Sequence, residues 1–286
     1  MKVLVTGAGG QLGRALLARA PEGVEIVAAT SRQLDISNRA AVAAFLDRMR
    51  PELILNAAAY TAVDKAESDR ERAAAVNDGG IASLVAAAEA VGARMAHVST
   101  DFVFDGSASR AYRVDAPTAP LGVYGATKLA GEGHLRAQDL CVRTAWVYAV
   151  EGKNFVRTML RLMAERAELG VVSDQIGSPT SADDLADTLW RLALGGHSGT
   201  FHFTGSGVAS WYDFAVAIRD EGVAAGLLPE NAASVKPIAT ADYPTPAKRP
   251  AFSVLDTSKT ARTFGEAAPH WRHSLIKVLE QIKTHG

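Results

Sequence analysis

Tyr124 and Lys128 stand four residues apart in Tyr124-Gly-Ala-Thr-Lys128. On a helix they share one face. A phenol and an ammonium so placed do proton chemistry. Free tyrosine titrates near pKa ~10, and a neighbouring ammonium favours the phenolate. The spacing predicts a tyrosine of lowered pKa that protonates a carbonyl oxygen as hydride arrives. Such general acid catalysis is worth roughly 10²–10⁴-fold. The lysine is also placed to hold nicotinamide ribose hydroxyls. Ser99-Thr100-Asp101 closes an apolar run upstream, and a hydroxyl there can donate to the same carbonyl oxygen. A tyrosine and lysine at this spacing also arise by chance on amphipathic helices, so the pair gains its weight from what precedes it.

What precedes it is a glycine turn. Val3–Thr6 runs into Gly7-Ala-Gly-Gly10-Gln-Leu-Gly13. Glycines between a strand and a helix let the backbone approach a pyrophosphate, and the first N–H groups of the helix then point at it. The second strand ends in Ala29-Thr30-Ser31-Arg32, with no acid before Asp35. Ser31 and Arg32 can hold a ribose 2′-phosphate, or Arg32 is a solvated loop residue; both readings stay open. Asp35-Ile36 is placed to reach the adenine, with a helix-capping role for Asp35 as the alternative. The small residues of Asn56-Ala-Ala-Ala-Tyr-Thr61 would let a cofactor lie flat across the strand ends.

These motifs need a rigid frame. Short apolar runs at Val3–Thr6, Val24–Ala29, Leu53–Asn56, Ala96–Ser99 and Cys141–Thr144 alternate with helical patterns. One such pattern, Ala73–Val91, is interrupted by Gly79-Gly80, and Ser37 or Asn38 precedes another as a candidate N-cap. The alternation predicts an α/β protein with a Rossmann-type doubly wound parallel sheet. Residues 1–150 read as the cofactor domain. Residues 151–286 read as a smaller, mostly helical substrate-binding lid, with the chain free to cross between the two. Ser181-Ala-Asp-Asp reads as a capping-box start. In the Pro-rich stretch Tyr243–Pro250, Lys248 and Arg249 suit a nucleotide diphosphate, or are solvated loop charges.

Composition narrows the partners. The chain has 286 residues, 30 basic and 31 acidic, and one cysteine. No basic block supports nucleic-acid binding. No run is long enough to span a membrane, and no signal-peptide pattern opens the chain. Cys141 allows no intrachain disulfide, and the histidines show no metal-ligand spacing. These features point to a cytoplasmic enzyme. Gly205-Ser-Gly207 is not a nucleophile elbow, and there is no P-loop.

Taken together the motifs resemble the extended short-chain dehydrogenase/reductase family. Finer strings are similar to its dTDP-4-dehydrorhamnose reductase branch: Asn56–Glu67, Val98–Gly106, Tyr124–Glu132, Arg143–Tyr148, Asn154-Phe-Val, Asp174–Thr180 and Tyr243–Pro250. The resemblance implies NAD(P)H-dependent reduction of the C4 keto group of a dTDP-linked 4-keto sugar; the acid-free end of the second strand makes NADPH the expected cofactor, with NADH an accepted one. It implies Tyr124 as proton donor, Lys128 as its partner and Thr100 as the hydroxyl at the carbonyl. Thr100, Asp101 and Trp146 would touch the nucleotide sugar. Gly10, Gln11, Leu12, Asp35, Ile36, Ala59, Tyr60 and Thr61 fall on cofactor-binding stretches, and Asn77 matches a supporting helix asparagine. The stretch Gly13-Arg-Ala-Leu lacks the glutamate of a metal-mediated dimer, so no metal and a monomer or weak homodimer are expected. An epimerase or dehydratase of the same family, or a non-catalytic regulatory subunit, would share the frame. Net consumption of NAD(P)H separates the first rival, and intact Thr100, Tyr124 and Lys128 argue against the second.

Overall fold

The computed structural model describes residues 1–285. Five apolar runs form parallel strands: β1 (Lys2–Thr6), β2 (Glu25–Ala29), β3 (Leu53–Asn56), β4 (Arg94–Thr100) and β5 (Leu140–Thr144). A sixth, β6 (Gly199–His202), pairs in parallel with β5. The order across the sheet is β6-β5-β4-β3-β1-β2. Every residue of β3 and β5 is buried, which requires cover on both faces.

Alternation along the strands decides what covers each face. Val3, Val5, Leu53 and Leu55 pack with α1 (Gln11–Ala18) and with the later helix Ala182–Leu194. Leu4, Ile54 and Met95 point the other way, onto α2 (Arg39–Met49) and α3 (Gly80–Val91). The helix α4 (Val123–Glu132) packs beside β4. A separate apolar cluster joins α5 (Phe155–Glu165), α7 (Trp211–Ala224) and α8 (Trp271–His285). The helix Ala182–Leu194, α6, and strand β6 both come from beyond residue 150, so the chain crosses back to complete the sheet.

Two local expectations change and one open choice is resolved. Gly79-Gly80 does not interrupt the helix; the chain stays helical from Arg70 to Val91 through a π-turn at Ala75–Gly79. A Cβ on Gly80 would lie 2.9 Å from the Ile36 side chain, so the glycine serves close packing. Ser181 caps α6 by accepting from the Asp183 N–H without a reciprocal bond. The reciprocal capping box is Ser210 with Asp213, at the start of α7. Of the two candidates before α2, Asn38 is the cap.

β1 and β3 are neighbours whose chains leave in opposite directions. That reversal opens a crevice at the carboxyl ends of the strands, where open α/β sheets take ligands. Among the described residues no helix is long and apolar enough to cross a membrane.

Candidate active site

A cleft of about 840 Å³ lies over that reversal. Its floor begins at Gly7, whose φ is +68°. A Cβ there would lie 2.6 Å from the Ala58 backbone nitrogen. The turns after β1 and β3 therefore meet only because residue 7 has no side chain. Gly10 is the N-cap of α1, with no side chain capping the helix and no acid in its first turn. The leading N–H groups and the positive end of the helix dipole are left for an anion. Gly7, Gly10, Gln11 and Leu12 all line the cleft. This cradle fits a dinucleotide pyrophosphate.

At the far end, Ser31, Asp35 and Ile36 line the cleft and Arg32 does not. Arg32 is exposed and makes no hydrogen bond or ion pair with the other described residues. Asp35 is held below the usual carboxylate range, first by the Ser37 hydroxyl and then by Arg72. Arg72 donates to Asp35 Oδ2 at 3.2 Å and to Ser37 Oγ at 3.0 Å. Arg72 lines the cleft and was not legible in the sequence, since nothing in the spacing ties a helical arginine to a loop 37 residues earlier. Gly152 and Lys153 also line the cleft. Their loop is pinned over the glycine turn by Gln11, which donates to the Lys153 carbonyl at 3.3 Å and accepts from Asn154 at 3.0 Å.

Ala59, Tyr60 and Thr61 form one wall. Asn77, fully buried, clamps that wall: its side chain accepts from the Tyr60 N–H at 2.8 Å and donates to the Tyr60 carbonyl at 3.1 Å. The Tyr60 hydroxyl is turned toward Asp69, 3.0 Å away.

Thr100, Asp101, Tyr124, Lys128 and Trp146 meet at the other end of the cleft. Thr100 closes β4 and caps the 3₁₀ turn Asp101–Val103; its hydroxyl donates to Asp101 Oδ1 at 3.0 Å and accepts from the Phe102 N–H. Asp101 is fully buried and its Oδ2 has no hydrogen-bond partner among the described residues. Burial pushes its carboxyl up to about 6. The Phe102 ring meets Tyr124 edge-on, with centroids 5.5 Å apart. Trp146 takes a left-handed φ of +48° and stacks on Trp211 at 3.6 Å between centroids. It fits because Gly177 opposite has no side chain; a Cβ there would lie 2.6 Å from the indole.

Two expectations are corrected here. Tyr124 does not have a lowered pKa: burial pushes it up to about 12, against a smaller opposing effect of the Thr100 hydrogen bond. Lys128 makes its polar contacts with β4. Its ammonium nitrogen lies 2.6 Å from the Val98 carbonyl and 3.2 Å from His97 Nε2, and burial brings it down to about 8. Arg249 lies outside the cleft lining. Its guanidinium forks onto Asp64, with both N–O distances at 2.9 Å, and also donates to Thr245. A guanidinium so committed is not a free diphosphate ligand.

The geometry matches known proteins. The RmlD substrate binding domain model matches residues 1–284. The dTDP-4-dehydrorhamnose reductase of Aggregatibacter actinomycetemcomitans is 45% identical, over 97% of this chain and 98% of that protein. The crystal structure of a dTDP-4-dehydrorhamnose reductase from Clostridium acetobutylicum superposes with a TM-score of 0.94 at 40% identity, covering 99% of this chain and all of that one. The Bacillus anthracis enzyme of the same name, solved in complex with NADP, gives 0.91 at 36% identity, covering 98% of this chain and 99% of that one.

Proposed function

The chain belongs to the RmlD substrate binding domain family, and from that premise we propose that it reduces the C4 keto group of dTDP-4-dehydro-L-rhamnose to give dTDP-L-rhamnose, with NADPH as preferred cofactor. The observation that carries this reading is the meeting of Thr100, Tyr124 and Lys128 at one end of a cleft whose other end is a bare-backbone phosphate cradle. A nicotinamide dinucleotide, when bound, supplies the hydride. Tyr124, protonated across the neutral range, gives its proton to the oxygen that develops charge at C4. Thr100 orients that oxygen when its hydroxyl turns its proton from Asp101 Oδ1 to the sugar. Lys128 holds the ribose hydroxyls, and Trp146 lies against the sugar. Residues beyond 150 that do not return to the sheet form the lid, and Arg249 serves there as a latch on Asp64. The enzyme works in the cytoplasm, as a monomer or weak homodimer and without a metal; nucleotide sugar and reduced cofactor are both cytoplasmic metabolites.

Mixing purified protein, NADPH and dTDP-4-dehydro-L-rhamnose tests the reading. One NADPH is consumed per sugar reduced. Conversion of the sugar with no net loss of NADPH would replace this reading with an epimerase or dehydratase. No turnover at all would leave a binding protein.

Arg32 decides how strongly NADPH is preferred. No acid near the end of β2 competes with a 2′-phosphate; Asp35 is engaged by Ser37 and Arg72. A charge-assisted contact is worth about 1.5–3 kcal/mol, and the exposure of Arg32 brings this one below about 1 kcal/mol. Arg32→Ala therefore lowers the NADPH-to-NADH ratio of kcat/KM by a few-fold, at most about 5-fold. A ratio that does not move removes Arg32 from the phosphate site.

A further inference from the structure

Thr6, Asn56, His97 and Lys128 are all buried, in one hydrogen-bonded row that runs beneath the cleft floor from β1 through β3 and β4 to α4. Thr6 Oγ1 donates to Asn56 Oδ1 at 2.6 Å, and the Ala58 N–H donates to the same oxygen at 3.2 Å. Two donors on that oxygen fix the orientation of the amide. The amide nitrogen then faces His97 Nδ1, 2.9 Å away, and donates to it. A ring nitrogen that accepts carries no proton. Burial, and then Lys128, keep the imidazole neutral, so its single proton sits on Nε2. Nε2 in turn lies 3.2 Å from Lys128 Nζ. An ammonium has no lone pair for that N–H, whereas an amine has one.

We propose that Thr6, Asn56 and His97 form a tautomer lock: it presents an N–H to Lys128, favours the neutral amine over the ammonium, and makes His97 a positioning residue for the reaction. Above its titration near 8, the amine accepts from His97, donates one N–H to the Val98 carbonyl, and keeps its second N–H for the cleft. Burial acts in the same direction, against smaller opposing effects of Cys141 and Glu132. Cys141 from β5 is a buried thiol pushed far up and carries no charge. Glu132, one turn along α4, is held by Arg143. Asp101 bears on Tyr124. Glu67 and Asp78, from the helical segments packed on α4, engage the Val123 N–H and His134 at its two ends. Burial brings Lys128 down, and an N–H presented by the lock acts in the same direction.

Histidine-selective ¹⁵N labelling reads the tautomer directly, because protonated and bare ring nitrogens resonate far apart. His97→Gln assigns the signal by its loss. The wild type shows a protonated Nε2 and a bare Nδ1. In Asn56→Asp a carboxylate faces Nδ1 on one oxygen and Thr6 on the other, so the proton moves to Nδ1 and a lone pair faces Lys128. The Lys128 limb of the kcat/KM profile then rises by at least about one pH unit. In His97→Gln the side-chain carbonyl accepts from Asn56 and the amide donates to Lys128, so the limb stays within about 0.3 units of wild type. A wild-type Nδ1–H, an imidazolium, or a limb unmoved by Asn56→Asp overturns the proposal. Only the kinetic arm rests on the reductase reading. The tautomer of the wild type decides the lock even where that reading or the folding of Asn56→Asp fails.

Discussion

Tyr124→Phe lowers kcat by at least about 10²-fold while the affinity for NADPH stays near that of wild type. The variant deletes one oxygen and keeps the ring, so the edge contact with Phe102 survives. A rival acid stands nearby, which makes the outcome informative. Asp101 is a buried carboxyl pushed up to about 6, against smaller opposing effects of the Ser253 and Thr100 side chains. At pH 7.5 it is mostly ionised, whereas a phenol pushed up to about 12 is fully protonated. The two acids also differ in pH dependence. If Asp101 were the donor, activity would climb as pH fell through 6 and Tyr124→Phe would remain near wild type. Steady-state NADPH oxidation over that range, beside a fluorescence titration of NADPH binding, distinguishes them. A kcat within a few-fold of wild type removes Tyr124 as the acid.

The raised value also revises what the tyrosine–lysine spacing means. Position on a shared helix face is legible from sequence, but the direction of a four-carbon side chain is not. Lys128 reaches down to the strand end because the Val98 carbonyl accepts from it there and His97 faces it. The glycine turn was legible because φ > 0 and close backbone approach are properties of single residues. The five leading strands were legible for the same local reason, as apolar runs of strand length. Strand β6 was not: Gly199–His202 reads as a loop until β5 offers its open edge. Arg72 and Lys153 enter the cleft through contacts between distant segments, with Asp35 and Gln11. Arg249 was misplaced for the converse reason. A cation in a Pro-rich loop suits a phosphate, but the carboxylate that occupies it, Asp64, lies 185 residues away.

A buried ion pair, Glu132 with Arg143, anchors the helix that carries the site. Glu132 ends the helix that carries Tyr124 and Lys128, and Arg143 stands in β5. The Arg143 Nε donates to Glu132 Oε1 at 3.0 Å and its NH2 group donates to Oε2 at 2.7 Å. The two side chains are only 7% and 9% exposed, and the guanidinium also lies over the Phe104 ring. Such a pair resists loss of one partner far more than loss of both. Glu132→Ala leaves Arg143 charged, buried and unpaired, and destabilises the fold by about 3–5 kcal/mol. Water cannot readily reach the stranded charge, since β5 is buried along its whole length. Replacing both residues by apolar ones, Glu132→Leu with Arg143→Met, restores most of that loss, because no charge then remains to be desolvated. Urea unfolding of the wild type, both single variants and the double variant closes the cycle. Glu132→Ala within about 1 kcal/mol of wild type would place the pair among the weak, solvent-screened kind. The anchoring of the catalytic helix to β5 would then have to come from packing alone.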